Sequence, residues 1–441
     1  MDYQTFRERL FDIALRNGCT GAETYRLEDI NFSVGVLDQK IDNYSVSRAV
    51  GIGLRVQVDG RNGYAYTEAM DDPDALVAHA IDNARSIETK DEHPLQVPQE
   101  MPPVEHTPDP LCALDETAKI EAAFRLERLV LAHGDPVTKS AENMLQTTQR
   151  TVSLHNTNGL AAEQTSDQSI VFANPVAKRG EEVRDAYAFR CASDDLEAVA
   201  DEAVQKAVAK LGASPVAPGK YRVLLQSEAA GTLLGAFAPM FSADNAQKGL
   251  SLLAGKEGET IAAAGVDIVD DPLHPVQPRA FDAEGTPSLT TRLVEAGVLR
   301  SLLHNLKTAK KAGVSTTSNG GRASAGSPVG VAPSNLYVVP GTESFDQLVE
   351  TLGNGLIITE MSGTHAGVNT VSGDFSLLSG GFLVENGKIV RAVDQITVAG
   401  TFFSLMSGIS KVGSDLRFGF PGNTRIGSPS LLVDALTVAG Q

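Results

Sequence analysis

The chain has 441 residues, enough for a buried core and, at roughly 150 residues per domain, for two or three domains. It carries 37 Lys and Arg against 55 Asp and Glu, a formal net charge of −18, with no basic cluster. Direct contact with nucleic acid is therefore not expected, because a duplex-binding surface needs cations to neutralise phosphates. Uncharged stretches are short and interrupted by Gly, Ser and Thr, so no membrane span is predicted.

The N-terminal residues and the cysteine usage both bear on the cellular compartment in which the protein is expected to occur. The first nine residues are polar and charged where a secretory signal would have an apolar core, so we expect a cytoplasmic protein. The three cysteines, Cys19, Cys112 and Cys191, are an odd number at wide spacing without a C-x-x-C pair. This usage suits a reducing compartment and predicts free thiols rather than a zinc ribbon.

The first half of the chain shows an order of helix, meander and helix. Residues 3–17 have the apolar spacing of a helix, and residues 22–67 alternate with the period of strands. Asp72 and Pro73 then form a helix start, with Asp72 as the N-cap. A proline-rich connector occupies residues 90–110. The same order is then predicted again: a helix at 116–133, strands at 146–154, 161–173 and 185–192, and a helix at 196–211. Identity between the two copies is too low to establish a duplication.

A second connector at residues 212–219 predicts an N-terminal domain of residues 1–215 and a C-terminal domain of residues 220–441. The C-terminal part is rich in Gly and Ser, with short strands and a clear hairpin turn at Asn386-Gly387. Helices are predicted there at residues 226–237, 245–253 and 344–352. The predicted fold class is α+β, two-domain, with antiparallel sheets, flanking helices and a sheet-dominated second half.

Five ordered sequence blocks in the second half resemble the TldD/PmbA family. The blocks are residues 225–232 (LQSEAAGT), 315–322 (STTSNGGR), 336–341 (LYVVPG), 373–376 (GDFS) and 381–389 (GFLVENGKI). Residues 436–440 are similar to the family's ending, and residues 33–63 resemble its N-terminal region more loosely. The resemblance implies a two-domain α+β fold and two paralogous subunits that pair as a zinc-dependent peptidase.

For the catalytic, TldD-like branch the resemblance implies a His-Glu-x-x-x-His helix and a C-terminal Cys that hold zinc, with the Glu as base for the bound water. In this chain the two His positions are Ser227 and Thr232, and the Glu is retained as Glu228. The last cysteine is Cys191, so the second half has no thiolate. Because hydroxyls are poor zinc ligands, we interpret these positions as vestigial and expect neither a catalytic residue nor a metal site here. The departure matches the PmbA, or TldE-like, branch, which the resemblance implies is the non-catalytic partner.

Glu228 also has an ordinary structural explanation, because a carboxylate in the first turn of a helix is stabilised by the helix dipole. Three further residues are candidates for binding substrate or partner: His304, His365 and Asp374. His365 lies in a glycine-flanked loop, Asp374 follows a glycine at a turn, and His304 lies where a strand passes into a helix. No histidine pair has metal-binding spacing, and no phosphate-binding glycine motif occurs.

The leading hypothesis is a cytoplasmic, silent subunit that pairs with a zinc-bearing TldD-like paralogue, or with itself, through sheet edges of the C-terminal half. Zinc is expected only in the paralogue, and the substrates implied by the resemblance are unfolded polypeptides or peptide precursors. Two alternatives stay open. A stand-alone hydrolase would use a rearranged site of Glu228, His304, His365 and Asp374. A regulatory protein would resemble a modulator of DNA gyrase, although the negative charge argues against direct DNA contact.

Overall fold

A computed structural model describes residues 1–88, 90 and 93–440. In the first half, helices flank one long antiparallel sheet. The helices are α1 (Tyr3–Arg16), α2 (Pro73–Arg85), α3 (Glu116–Ala132) and α4 (Leu196–Ala209). The strands are β1 (Gly21–Leu37), β2 (Lys40–Val58), β3 (Arg61–Thr67), β4 (Val137–Asn156), β5 (Ala161–Arg179), β6 (Glu182–Asp185) and β7 (Ala188–Arg190). Their order is β3-β2-β1-β4-β5-β6, with β7 beside β5, so the strands of both copies form one sheet.

The local signals for these elements are confirmed. Asp72 caps α2 by accepting the N–H of Ala75 at 2.9 Å, and Pro73 is the first helical residue. Strands β4 and β5 are longer than predicted, because their polar residues stay paired beyond the apolar runs. The single strand predicted at 185–192 is wrong, because two short strands, β6 and β7, pair there with separate parts of β5. In the predicted connector 90–110, residues 91 and 92 lie outside the described residues, and residues 93–109 form neither helix nor strand.

The sheet buries a different partner on each face. On one face, Phe32 and Val34 of β1 pack against α3 and α4, and Leu54 of β2 packs against α1 and α2. On the opposite face, Tyr25 of β1 packs with Phe281 of the second half. The two halves of the chain therefore meet across the face of the sheet that the helices leave open.

The second half contains two six-stranded sheets. Its helices are α5 (Ser227–Phe237), α6 (Ala243–Gln247), α7 (Leu306–Ala312), α8 (Phe345–Leu352), α9 (Thr364–Gly367) and α10 (Phe402–Ser407). Its strands are β8 (Gly219–Leu225), β9 (Ile268–Asp270), β10 (Thr291–Glu295), β11 (Val298–Leu299), β12 (Gly320–Gly321), β13 (Gly330–Val331), β14 (Asn335–Val338), β15 (Gly355–Ser362), β16 (Asp374–Glu385), β17 (Lys388–Thr401), β18 (Ile409–Val412), β19 (Arg417–Phe418), β20 (Arg425–Ser428) and β21 (Leu431–Gly440).

The two sheets have the orders β11-β10-β9-β14-β20-β19 and β17-β16-β15-β8-β21-β18, while β12 and β13 pair separately. A further pairing of β17 with β21 closes the second sheet into a barrel-like form. Helix α5 packs on it through buried Leu233 and Phe237. The α+β class with a sheet-dominated second half is confirmed.

Two predictions in this half had different outcomes. The hairpin turn at Asn386-Gly387 is confirmed, and both residues have the positive φ that such a turn requires. The helix predicted at 245–253 is wrong, because α6 ends at Gln247. Gly249 has a φ of +72°, and the N–H of Leu250 returns to the Asn245 carbonyl at 2.8 Å, which terminates the helix. In the described part of the chain no helix has the length and apolar character needed to cross a membrane.

Candidate functional site

The three positions predicted to correspond to a zinc motif, Ser227, Glu228 and Thr232, lie on α5, which follows β8 directly. Ser227 is 2% exposed, and its N–H donates to Ser430 Oγ at 3.1 Å. Thr232 is exposed and donates its hydroxyl to the Glu228 carbonyl at 2.9 Å. Because α5 is a continuous α-helix from Ser227 to Phe237, side chains five residues apart diverge by about 140°. These two side chains therefore do not converge on one point.

Glu228 belongs to a charged cluster that joins the two halves of the chain. Its Oε1 lies 2.7 Å from Lys206 Nζ on α4 and 3.6 Å from Arg417 Nη1 on β19. Glu202, one turn before Lys206, lies 3.0 Å from that ammonium and 2.8 Å from Arg417, and it also pairs with Arg190. Three cations thus surround two carboxylates; below we call these five residues the charged cluster.

The electrostatics of the charged cluster favour the ionised state of its acid Glu202. Burial opposes ionisation of Glu202, but Lys206, Arg190 and Arg417 together hold its pKa at about 2. Burial likewise works against the charge of Arg417, yet Glu202 and Glu228 raise its pKa. The cluster is therefore a stable set of ion pairs at neutral pH.

The C-terminal segment that would have to supply a third zinc ligand lies against the start of α5. Asp415 accepts the N–H of Ser430 at 2.9 Å and the hydroxyl of Ser430 at 2.7 Å. The same hydroxyl oxygen accepts the N–H of Ser227. Both carboxylate oxygens of Asp415 are thus engaged in holding this segment to the helix.

The sulfur of Cys191, which lines a cavity together with Glu228, is also unsuited to metal binding. Cys191 and Glu228 line a small cavity of about 270 Å³. Burial raises the pKa of the Cys191 thiol, although Arg425, 3.7 Å from its sulfur, opposes this shift. The group is therefore a neutral thiol at neutral pH rather than the thiolate that a metal needs.

The residues present do not fit a zinc ion. The motif positions offer two hydroxyls and the Glu228 carboxylate, which two cations already neutralise. No group of three or more His, Cys, Asp or Glu among the described residues could hold a metal ion. A divalent cation beside Lys206 and Arg417 would also meet two like charges at short range.

Glu228 and Thr232 line a cavity of about 480 Å³ between the two halves. Apolar groups such as Phe382 and Val393 form part of its wall. Lys210 from the first half and Glu360 from the second meet at 2.7 Å on its lining. The mixture of apolar wall and charged groups is typical of a site for a small or extended ligand.

The other predicted candidates lie elsewhere, and none of the three lines this cavity within the described residues. His304 is buried beside α7, and burial lowers its pKa. His365 is exposed on the single turn of α9. Asp374 is exposed at the start of β16 and accepts the Ser372 hydroxyl at 2.7 Å, an ordinary turn contact.

Sequence reasoning missed Lys206, Arg417 and Glu202. Glu202 and Lys206 are four residues apart on one helix, which is the local signal for an ion pair. Arg417 is brought to them only by the packing of the second half, so no local pattern indicates it. The charged cluster is a product of tertiary structure.

Comparisons with known proteins cover most of the chain. The family model described as the PmbA/TldA metallopeptidase C-terminal domain matches residues 218–440. The models for PmbA/TldA metallopeptidase domain 1 and the central domain match residues 22–84 and 109–211.

Individual relatives agree with these matches. A "Metalloprotease" of Methanothermobacter thermautotrophicus is 30% identical over 405 residues, which are 88% of this chain and 86% of the relative. A solved structure from Thermotoga maritima, described as a "putative modulator of a DNA gyrase", is 32% identical with a TM-score of 0.90, covering 99% of this chain and 100% of that one. TldE from Thermococcus kodakarensis has the same TM-score and coverage at 20% identity, which supports similarity of fold alone.

Proposed function

The chain belongs to the PmbA/TldA metallopeptidase family, and we propose that within this family it is a catalytically silent subunit. In this proposal a TldD-like paralogue supplies the zinc, its ligands and the catalytic base. This chain supplies part of the wall around the substrate, which is an unfolded polypeptide or a peptide precursor.

The pairing of Glu228 with Lys206 and Arg417 carries the proposal. A base that takes a proton from zinc-bound water must face the metal with a free carboxylate oxygen. Here the carboxylate instead closes an ion-pair cluster between the two halves. The retained glutamate therefore has a structural role, which explains its presence without the two histidines.

The cavity beside Glu228 supports the substrate part of the proposal. It lies between the halves and has apolar walls, so a short segment of an extended polypeptide could enter it. Its charged groups are largely paired, as for Lys210 with Glu360. Binding without cleavage is what these contacts support.

Reconstitution with a paralogue tests the proposal. This chain, a paralogue bearing His-Glu-x-x-x-His, and their mixture are incubated with an unstructured polypeptide, with and without a chelator. We expect chelator-sensitive cleavage only where the paralogue is present.

Matched substitutions identify which subunit supplies the base. Glu228→Gln in this chain is expected to leave the activity of the mixture within about twofold, whereas the same change in the paralogue's motif abolishes it. Loss of activity with Glu228→Gln in a mixture that still assembles would contradict the proposal.

A further inference from the structure

Arg425, at the start of β20, is a buried cation without an anion. It is 3% exposed, its Nε has no hydrogen-bond partner, and no carboxylate among the described residues forms an ion pair with it. The polar contact of its guanidinium is with the sulfur of Cys191, at 3.7 Å. By contrast, Arg55 and Arg322, which are also buried, share the carboxylate of Glu23. A buried charge without a counter-charge is costly, so Arg425 calls for an explanation.

Arg425 lines the cavity of about 270 Å³ beside Glu228. Arg190 of β7 and Arg417 of β19 line the same cavity, so its lining has an excess of two positive charges. In the described part of the chain the side chain of Arg417 donates one hydrogen bond, from Nη1 to Glu202 at 2.8 Å. Its remaining N–H groups are therefore available to a ligand.

Two further acids near the cavity have partners of their own. Asp415 accepts the N–H and the hydroxyl of Ser430, and Asp109 accepts two backbone N–H groups. The Cys191 thiol is not a counter-charge either, because burial raises its pKa and keeps it neutral. The charge of Arg425 is therefore left for a group from outside the chain.

We propose that this cavity binds a phosphate group, either as inorganic phosphate or as the phosphate of a small monoester. A phosphate dianion matches the excess of two positive charges, and the planar fork of an arginine donates to two phosphate oxygens at once. Phe189, Phe418 and Val276 provide an apolar wall for the organic part of a monoester. Because the arginines come from β7 in the first half and from β19 and β20 in the second, the bound phosphate joins the two halves.

The phosphate site does not rest on the silent-subunit proposal. Its cations are Arg190, Arg417 and Arg425, and none of them is a position of the predicted zinc motif. Phosphate binding is measured on the full chain alone, without the paralogue and without a peptidase assay. Failure of the phosphate site and failure of the silent-subunit proposal are therefore distinguishable.

Isothermal titration calorimetry of the full chain at pH 8 and constant ionic strength tests the ligand class. The probes are inorganic phosphate, phenyl phosphate and benzoate. We expect one phosphate group per chain, and the tighter of the two phosphate probes identifies the source that the site takes. Benzoate, with a single charge, should bind at least about tenfold more weakly than the tighter phosphate probe. No binding of either phosphate probe at about 10 mM, or benzoate binding as tight as phosphate, would overturn the proposal.

Substitution of Arg425 locates the site. Arg425→Met removes the charge and keeps an extended side chain, and we expect phosphate to bind at least about tenfold more weakly with unchanged circular dichroism. Arg279→Met is the matched control, because Arg279 lines a separate cavity of about 510 Å³. It should keep the phosphate affinity within about twofold. Unchanged affinity in Arg425→Met, or a loss of affinity in Arg279→Met instead, would overturn the proposal.

A second variant supplies the missing anion from within the chain, so its expected result cannot be confused with a failure to fold. Cys191→Asp places a carboxylate where the thiol now lies 3.7 Å from the Arg425 guanidinium, and Cys191→Asn is the neutral control of the same shape. We expect Cys191→Asp to melt at a higher temperature than Cys191→Asn and to bind phosphate at least about tenfold more weakly. A Cys191→Asp protein that is less stable than Cys191→Asn, or that binds phosphate equally well, would overturn the proposal.

Discussion

Lys206 Nζ on α4 lies 2.7 Å from Oε1 of Glu228 on α5, so a cation from the first half of the chain holds a carboxylate of the second half. Under the silent-subunit proposal, this ammonium takes the place that a metal would have as the positive partner of the glutamate. Because Arg417 is close to the same oxygen, removal of Lys206 alone would leave the carboxylate paired.

Restoring the histidines should not restore a peptidase. Ser227 is buried, so Ser227→His forces an imidazole into packed space, while exposed Thr232→His is tolerated. We expect the double variant to take up zinc weakly, to cleave no peptide, and to melt several degrees lower than Thr232→His alone. Zinc analysis, peptide hydrolysis and thermal denaturation measure these three outcomes. Turnover close to that of a catalytic paralogue would mean that Asp415 or another acid already serves as the third ligand.

The sequence predicted the fold where local chemistry determines it. The Asp72 cap, the turn at Asn386-Gly387 and the start of α5 each depend on a few adjacent residues, and each is confirmed. It could not show how the sheets close or which charges meet. The pairing of Glu228 with Arg417 depends on residues 189 positions apart in the chain, and its partner Lys206 lies in the other half. The vestigial motif at Ser227, Glu228 and Thr232 stays a prediction from the sequence, whereas the ion-pair partners of Glu228 could not be predicted from it.

Glu202 should contribute more to stability than an exposed acid. Glu202 is largely buried and has three cationic partners. Because Glu202→Gln leaves these three cations without their main anion, we expect a loss of about 1–2 kcal/mol in the free energy of unfolding. Glu197→Gln, which breaks a half-exposed pair with Arg125, should cost less than about 0.5 kcal/mol. Urea denaturation at pH 7 measures both, and equal losses would contradict the role given to the cluster.

Glu202 also predicts that the stability of the chain depends on pH in the acid range. The pKa of Glu202 falls from an ordinary value of 4.5 to about 2 in the folded chain. The contribution of the Glu202 carboxylate to the free energy of unfolding is therefore complete above pH 4.5 and is lost as the pH falls toward 2. The stability difference between the parent chain and Glu202→Gln should shrink across that range. A difference that stays constant with pH would show that the carboxylate charge is not its source.

Glu23 should be among the most sensitive positions, because it is fully buried between two guanidinium groups. Its carboxylate lies 3.1 Å from Arg55 in the sheet and also bonds Arg322 from the second half. Glu23→Ala leaves both cations unpaired and should cost about 3–5 kcal/mol. Glu121→Gln, which removes an exposed pair with Arg128, should cost less than about 0.5 kcal/mol. Similar melting temperatures for Glu23→Ala and Glu121→Gln would contradict the prediction that the buried Glu23 stabilises the fold more than the exposed Glu121.

Two buried acids, Asp282 and Glu284, should make the chain less stable as the pH rises. Burial raises the pKa of Glu284 to about 7, and burial together with Glu284 raises the pKa of Asp282 to about 7. The folded state therefore keeps protons that the unfolded state releases above about pH 4.5, and stability declines from there to about pH 7. Glu284→Gln should reduce this decline by on the order of 1–3 kcal/mol, measured by urea midpoints from pH 5 to 8. If the urea midpoints of the parent chain and of Glu284→Gln declined in parallel with pH, the role given to the two buried acids would be contradicted.

Metal analysis of the purified chain tests the silent-subunit proposal most directly. The protein is prepared with zinc in the medium, freed of loosely bound metal by gel filtration, and analysed for metal content alone and in complex with the paralogue. We predict essentially no zinc in this chain alone and one zinc per pair in the complex. One zinc per chain in the isolated protein, together with chelator-sensitive peptide cleavage, would contradict the proposal.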